Sequence, residues 1–401
     1  MILNLDCRHG LAMLPDNSVD AVLTDPPYEL GFMGHAWDRT GIAYDVAMWR
    51  ETLRILKPGG HMLAFSGSRT YHRMTCAIED AGFEVRDSIM WVYGSGFPKS
   101  LDISKAIDKI FGAERQIIGR RGGGIAGGTG QHGGVDGAYG FNVEFDITAP
   151  ATLAAQLWEG WGTGLKPAHE PICVARKPMA ADTVAANILA HGVGGINIDG
   201  CRVPIDPVAD ASQLRTMSVS QHDGADGWGM NTTRANPAAR VLGMEGRWPS
   251  NVIHDGSPEV LALFPETKPS KSGGRAGPIG YHGGGTGAER GGFDDAGTAA
   301  RFFQQCQWTQ EDLERALLFY CAKASKREKG QGNTHPTVKP VALGRYLARL
   351  ICPPGGTLLD IFAGSGSFGI SAKLEGFGFM GFEKDPESAN CANARIEAAR
   401  G

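Results

Sequence analysis

No apolar run in this 401-residue chain approaches the roughly 20 residues that a bilayer-spanning helix needs, which argues against a helical membrane protein. No charged-then-apolar leader with a cleavage site opens it, so a secretory route is not expected. Cysteine is sparse: eight residues are scattered, none in a Cys-x-x-Cys pair. That argues against a zinc ribbon or a disulfide scaffold and fits reduced thiols in a cytoplasm. A Gly-Lys-Ser/Thr phosphate loop is missing, and no metal-ligand cluster, helix-turn-helix or zinc finger is visible. Charge of one sign is also missing: 39 Lys and Arg stand against 43 Asp and Glu, a net of −4. Binding to a phosphate backbone normally wants a basic surface, so such a partner would need a basic cleft on an acidic body. Lys and Arg recur between the predicted strands and could line one, among them Arg115, Arg120, Arg121, Arg202, Arg247 and Arg301.

What is present begins with Asp25-Pro26-Pro27-Tyr28. These residues follow Val19 to Thr24, which reads as a short buried strand. Two prolines end the ladder and set a rigid turn. Such a turn holds a carboxylate, a backbone carbonyl and an aromatic ring at the open end of a sheet, the equipment for gripping an exocyclic amino group on a planar base. The same residues also suit an ordinary strand-end turn. Far along the chain a second strand, Leu358 to Ile361, runs into Phe362-Ala363-Gly364-Ser365-Gly366 and a helix-like stretch, Phe368 to Leu374. Glycine in that loop lets a ligand approach the backbone beyond the carboxyl end of the strand, where open α/β sheets bind their ligands. The loop lacks the third glycine of a dinucleotide fingerprint. A third strand, Gly378 to Phe382, ends in Glu383, which either accepts from two ribose hydroxyls or stands as a solvated charge.

Together these segments resemble the amino-methylating DNA methyltransferases that use S-adenosyl-L-methionine. Asp25-Pro26-Pro27-Tyr28 is similar to the catalytic motif of that family and Phe362 to Gly366 to its cofactor loop. Thr334-His335-Pro336-Thr337-Val338-Lys339-Pro340 is similar to its accessory cofactor motif. Catalytic motif first and cofactor loop last matches the β group. Ser88 to Gly94 and His169-Glu170-Pro171-Ile172 further resemble prophage-type and orphan members.

The resemblance implies an α/β fold: a circularly permuted, Rossmann-like methyltransferase sheet with an inserted target-recognition region. It implies an N-terminal half over 1–178 with a Gly-rich insertion at about 112–165, target recognition over 179–320, and a C-terminal half over 321–401. It implies a bacterial or phage-encoded, cytoplasmic enzyme that acts on double-stranded DNA with its target adenine flipped, and dimers occur in the β group. The opening strand, Ile2 to Leu5, would then be the third strand of the sheet, with Asp6 either at the cofactor adenine or simply a turn former before a helix. Phe362 would pack on the cofactor, Gly364 and Gly366 would make room for its methionine part, and Asp360 would take its α-amino group or cap the loop. His335 and Lys339 would approach its carboxylate, unless Lys339 is a solvated charge that starts the next helix.

Amino-group chemistry assigns roles to the turn. The lone pair of adenine N6 is delocalised into the ring, and an acceptor on each N–H localises it. The Asp25 carboxylate and the Pro26 carbonyl would be those acceptors, and Tyr28 would stack on the base. Cytosine N4 offers the same chemistry, but relatives acting there more often carry Ser in place of Asp25. Absence of a Pro-Cys dipeptide argues against the covalent route to 5-methylcytosine. RNA, a protein glutamine side chain and a non-catalytic DNA-binding role are the remaining alternatives.

Pattern also predicts the elements between the motifs. A loop carries Trp37-Asp38. A helix over Asp45 to Leu56 is stopped by Lys57-Pro58-Gly59-Gly60, a strand follows over His61 to Phe65, and a helix runs from Arg69 to Ala81. A strand is expected over Glu84 to Tyr93, a helix capped by Ser100, and a strand around Ile172 to Ala175. Two glycine-dense stretches, Gly119 to Gly140 and Gly273 to Gly297, lack the apolar side chains for a packed core.

Overall fold

The structure is a computed structural model that describes residues 1–31, 36–94, 96, 100–123, 143–204, 246–267, 297–307 and 338–400. They form two compact units, Met1–Val92 with Glu170–Gly401, and Tyr93–His169. No helix among the described residues is long and apolar enough to cross a membrane. The strands are β1 (Ile2–Asn4), β2 (Val19–Thr24), β3 (Leu56–Phe65), β4 (Glu84–Val92), β5 (Ile117–Gly123), β6 (Val143–Thr148) and β7 (His169–Arg176). They continue with β8 (Val252–His254), β9 (Glu266–Thr267), β10 (Gly297–Thr298), β11 (Gln304–Gln305), β12 (Thr357–Asp360) and β13 (Gly378–Glu383).

In the first unit nine strands make one sheet in the order β1-β13-β12-β2-β3-β7-β4-β8-β11. The run from β1 through β13, β12 and β2 to β3 is parallel throughout. This is a mixed α/β fold with a large, mostly parallel sheet. β2 shows why its sequence reads as a nearly continuous apolar run: every one of its residues is buried, as expected of a strand covered on both faces. Its single charge, Asp20, is satisfied by Lys57 Nζ at 2.5 Å and the backbone N–H of Thr357 at 2.8 Å. The last two strands of the chain lie between the first two, so the motifs at residues 25 and 360 end adjacent strands. The register pairs Leu358 with Ala21 and Leu359 with Val22.

Helices cover the sheet. Val46–Ile55 buries Met48, Trp49, Thr52 and Ile55, and the Trp49 indole N–H donates to the Ala43 carbonyl at 2.9 Å. Leu11, Trp49, Met62, Ile78 and Phe382 belong to one contiguous core. Complete burial of side chains this large stabilises the fold by roughly 1.5–3 kcal/mol each. Asp45 and Asp385 cap their helices through backbone N–H groups, as their side-chain chemistry favours.

Three local expectations are corrected. Helix Val46–Ile55 ends before Lys57, and Lys57-Pro58-Gly59-Gly60 belongs to β3 rather than to a helix stop. The register slips between Val19 and Ala21, and the irregular backbone is held from outside: Gly59 N–H donates to the Lys177 carbonyl and Lys177 N–H to that of Gly60. The Arg69–Ala81 helix is shorter, Tyr71–Asp80. The cap near residue 100 is Asp102, which accepts from Lys105 N–H, while the Ser100 hydroxyl accepts from the N–H groups of Thr163 and Gly164.

The second unit is organised by Asp108, which is 1% exposed. Its carboxylate accepts from Arg115, from the N–H groups of Ala151 and Thr152, and from the Thr152 hydroxyl. That ties helix Ile103–Ile110 to the segment following the antiparallel β5–β6 hairpin. Of the two glycine-dense stretches, 124–140 and 273–296 lie outside the described residues.

Candidate active site

The site is built where β2, β3, β12 and β13 release their carboxyl ends. β7 runs antiparallel to β3, pairing Ile172 with Phe65, so it is the start of β7 that arrives at this same edge. Ser66 N–H, donating to the Pro171 carbonyl at 3.0 Å, extends that pairing and delivers Glu170. From the other side the chain enters helix Val341–Ile351 through Lys339.

Four side chains meet there. Lys339 Nζ lies 2.6 Å from Asp25 Oδ2 and 3.4 Å from Glu170 Oε2. The Tyr28 hydroxyl donates to Glu170 Oε2 at 2.8 Å. The ammonium also stands 5.3 Å from the Tyr28 ring centroid and 5.0 Å from that of Phe65, within reach of the ring quadrupoles. Asp25 Oδ1 is buried without a hydrogen-bond partner. A buried carboxylate oxygen with no donor is costly, so this one asks for an N–H or O–H from a ligand.

Electrostatics follow from burial. Burial opposes the charge on Lys339, but Asp25 and Glu170 outweigh it and hold its pKa above the ordinary value, so it is an ammonium. Burial, and then the charge of Asp25, push Glu170 above the usual carboxylate range despite Lys339 and Tyr28. Tyr28 is raised well above an ordinary phenol by burial and by both carboxylates, and stays protonated.

The turn itself is clamped from a distance. Asp38, 2% exposed, accepts Glu29 N–H on Oδ1 at 2.9 Å and Leu30 N–H on Oδ2 at 3.2 Å. Glu29 is held at φ +57°, a left-handed conformation that needs such support. The sequence marks Asp38 only as a loop residue beside Trp37, in a loop suited either to close over a flipped base or to cover the sheet; the Trp37 side chain lies outside the described residues.

The glycine loop is fastened to the next strand. Glu383 Oε2 accepts Gly364 N–H and Oε1 accepts Asp385 N–H, both at 2.8 Å. Gly364 and Gly366 have φ of +50° and +81°, the backbone that calls for glycine. At Gly366 a Cβ would stand 2.9 Å from the Ala392 Cβ. Asp360, 1% exposed, takes the Thr24 hydroxyl at 2.8 Å and Phe362 N–H at 3.1 Å on Oδ1. Burial raises its pKa to about 7.

A family model for DNA methylases, covering the N6 and N4 enzymes, matches residues 19–394. The chain belongs to this family. Among curated relatives of this methylase, YubD of Escherichia coli strain K12, named as a methylase, is 38% identical over 85 residues, 20% of this chain and 37% of that one. The type II methyltransferase M.HpaI of Haemophilus parainfluenzae is 31% identical over 107 residues, 25% of this chain and 34% of that one. The matched stretches thus span about a third of each relative. A solved structure of TTHA0409 from Thermus thermophilus, named as a DNA modification methylase and complexed with S-adenosyl-L-methionine, is 15% identical with a TM-score of 0.41. That match covers 99% of this methylase and 93% of TTHA0409.

Of the residues expected at the site, the fold brings Asp25, Pro26, Pro27, Tyr28, Asp360, Phe362, Gly364, Gly366 and Glu383 to adjacent strand ends, and Lys339 meets them from the segment entering helix Val341–Ile351. Lys339 holds Asp25 and Glu170. Phe362 is half-buried and packs against the main core. Asp6 follows β1, beside β13, caps helix Cys7–Ala12 through Arg8 N–H at 3.1 Å, and has Lys384 Nζ 3.5 Å away. His335 lies outside the described residues. In the sequence Glu170 stands only within the resembling segment His169-Glu170-Pro171-Ile172, and its usable signal is an acid beside a proline at the start of an apolar strand.

Proposed function

We propose that this methylase transfers a methyl group from S-adenosyl-L-methionine to the N6 amino group of an adenine flipped out of double-stranded DNA. The observation that carries this reading is Asp25: a carboxylate at the end of β2 with one buried oxygen lacking a partner, beside an aromatic ring and next to a glycine loop. The donor set fits the cofactor. Gly364 and Gly366 hold the loop Phe362 to Gly366 in a positive-φ backbone, and Glu383 is fixed at the tip of β13 with lone pairs to spare for ribose hydroxyls. Asp6 borders the same strand. When bound there, the cofactor supplies an electrophilic methyl group.

The chain's own residues do the rest. Asp25 Oδ1 accepts one N–H of the amino group and the Pro26 carbonyl the other, which draws the nitrogen lone pair out of the ring. Tyr28, kept neutral, stacks on the base. The Asp25 charge stabilises the positive charge that develops on nitrogen, in a largely buried site whose charged groups are held in place. Asp at position 25, rather than Ser, favours adenine over cytosine N4. Catalytic motif before cofactor loop is the β-group order, and residues 179–320 are read as the target-recognition region.

The test is a nucleoside digest with mass spectrometry after incubating unmethylated DNA and the cofactor with the wild-type chain or Asp25→Ala. N6-methyladenine from wild type alone is expected. N4-methylcytosine instead would overturn the base assignment, and no methylated base from any DNA would overturn the reading.

A further inference from the structure

Three charged groups share this site where one would serve the chemistry. Asp25 alone offers the acceptor and the negative charge; Lys339 cancels that charge at 2.6 Å. Transfer of a methyl cation equivalent to nitrogen is poorly served by a site of zero net charge. Glu170 changes the sum. It lies 3.4 Å from the same ammonium, and its Oε2 also holds the Tyr28 hydroxyl. Geometry adds a second point. Lys339 engages Asp25 through Oδ2 and leaves Oδ1 buried and unpartnered.

We propose that Lys339 and Glu170 are the positioning residues of Asp25: Lys339 fixes Oδ2 so that Oδ1 is presented to the amino group, and Glu170 restores the negative charge that the ammonium cancels. This rests on the methyl-transfer reading above. Both residues act through Asp25 and Tyr28 and neither touches the reacting nitrogen. The groups that face Glu170 are Lys339 from the segment entering helix Val341–Ile351, and Asp25 and Tyr28 from the turn after β2. Asp360, at the end of the adjoining strand β12, feels the charge of Asp25. Glu170 is charged above its raised pKa, so its contribution is present at high pH and lost as pH falls through that value.

The experiment is single-turnover methyl transfer at saturating cofactor and DNA, followed against pH. Glu170→Gln keeps an acceptor for the Tyr28 hydroxyl and removes only the charge. It is expected to lower the rate about tenfold or more at high pH, to leave cofactor affinity within about twofold, and to remove the share of the wild-type acidic limb that belongs to Glu170. Asp360 titrates in both proteins, so the difference between the two profiles reports Glu170. A rate within about twofold of wild type and an unchanged limb would overturn the proposal. Lys339→Gln serves if the first variant does not fold: a slower transfer with unchanged cofactor affinity supports the proposal. Weakened cofactor binding with an unaltered saturated rate would place Lys339 at the cofactor and overturn it. A wild type that methylates no base defeats the methyl-transfer reading itself, an outcome separate from either variant result.

Discussion

Burial of Asp360 is costly. Its carboxyl, ordinarily titrating near 3.8, is pushed up to about 7. A carboxyl raised in the fold holds its proton more tightly there than when unfolded, so it favours folding at low pH and opposes it as pH rises through about 7. Asp360→Asn should therefore raise the midpoint of thermal unfolding at about pH 8 by the equivalent of a few kcal/mol, and by clearly less at about pH 5, which lies between the unfolded and folded values. Equal shifts at the two pH values would contradict a charged, buried Asp360. Asp38 shows the opposite balance. There the carboxylate satisfies two backbone N–H groups of a strained turn, so its burial is offset locally.

Between β12 and helix Ser367–Leu374 the loop has little freedom. Gly366 needs its positive φ and leaves no space for a methyl group against Ala392. Gly366→Ala should destabilise the fold by about 1–3 kcal/mol in chemical denaturation, through strain and overpacking together. Cofactor affinity measured by titration calorimetry should fall with it, since the loop would shift under the ligand. An alanine variant as stable as wild type would show that this loop can relax. β3 makes a contrasting element. Its Pro58 and Gly59 resemble a helix stop in local chemistry, yet the backbone continues into strand because Lys177 and Asn187 satisfy it from outside. No local propensity encodes that.

At the scale of the whole chain, the net charge of −4 leaves any DNA contact to local basic surface. Binding to duplex DNA should weaken steeply with salt between about 50 and 200 mM, each phosphate contact adding close to one unit to the log–log slope. Fluorescence anisotropy across that range measures it, and affinity indifferent to salt would exclude a phosphate-tracking cleft. The sheet's far edge carries a related lesson. β8, three residues long, pairs in parallel with β4, and β11, two residues long, pairs in parallel with β8. Strands of two or three residues have too short a period to declare a sheet of their own.

Sequence alone determined the parts of this methylase that are local. The Asp-Pro-Pro-Tyr turn, the glycine loop and the acid at the tip of β13 were legible because proline, glycine and a strand-end carboxylate each impose their geometry within a few residues. The parallel neighbours β1, β13, β12 and β2 followed from the resemblance those motifs carry. Tertiary structure alone decided that Glu170 and Lys339 close on Asp25, across 145 and 314 positions of chain, since the antiparallel entry of β7 and the approach to helix Val341–Ile351 put them there. It also decided which charges are buried, and burial is what sets the protonation of Glu170, Tyr28 and Asp360. Both depend on what surrounds a residue in space, and sequence spacing does not record that.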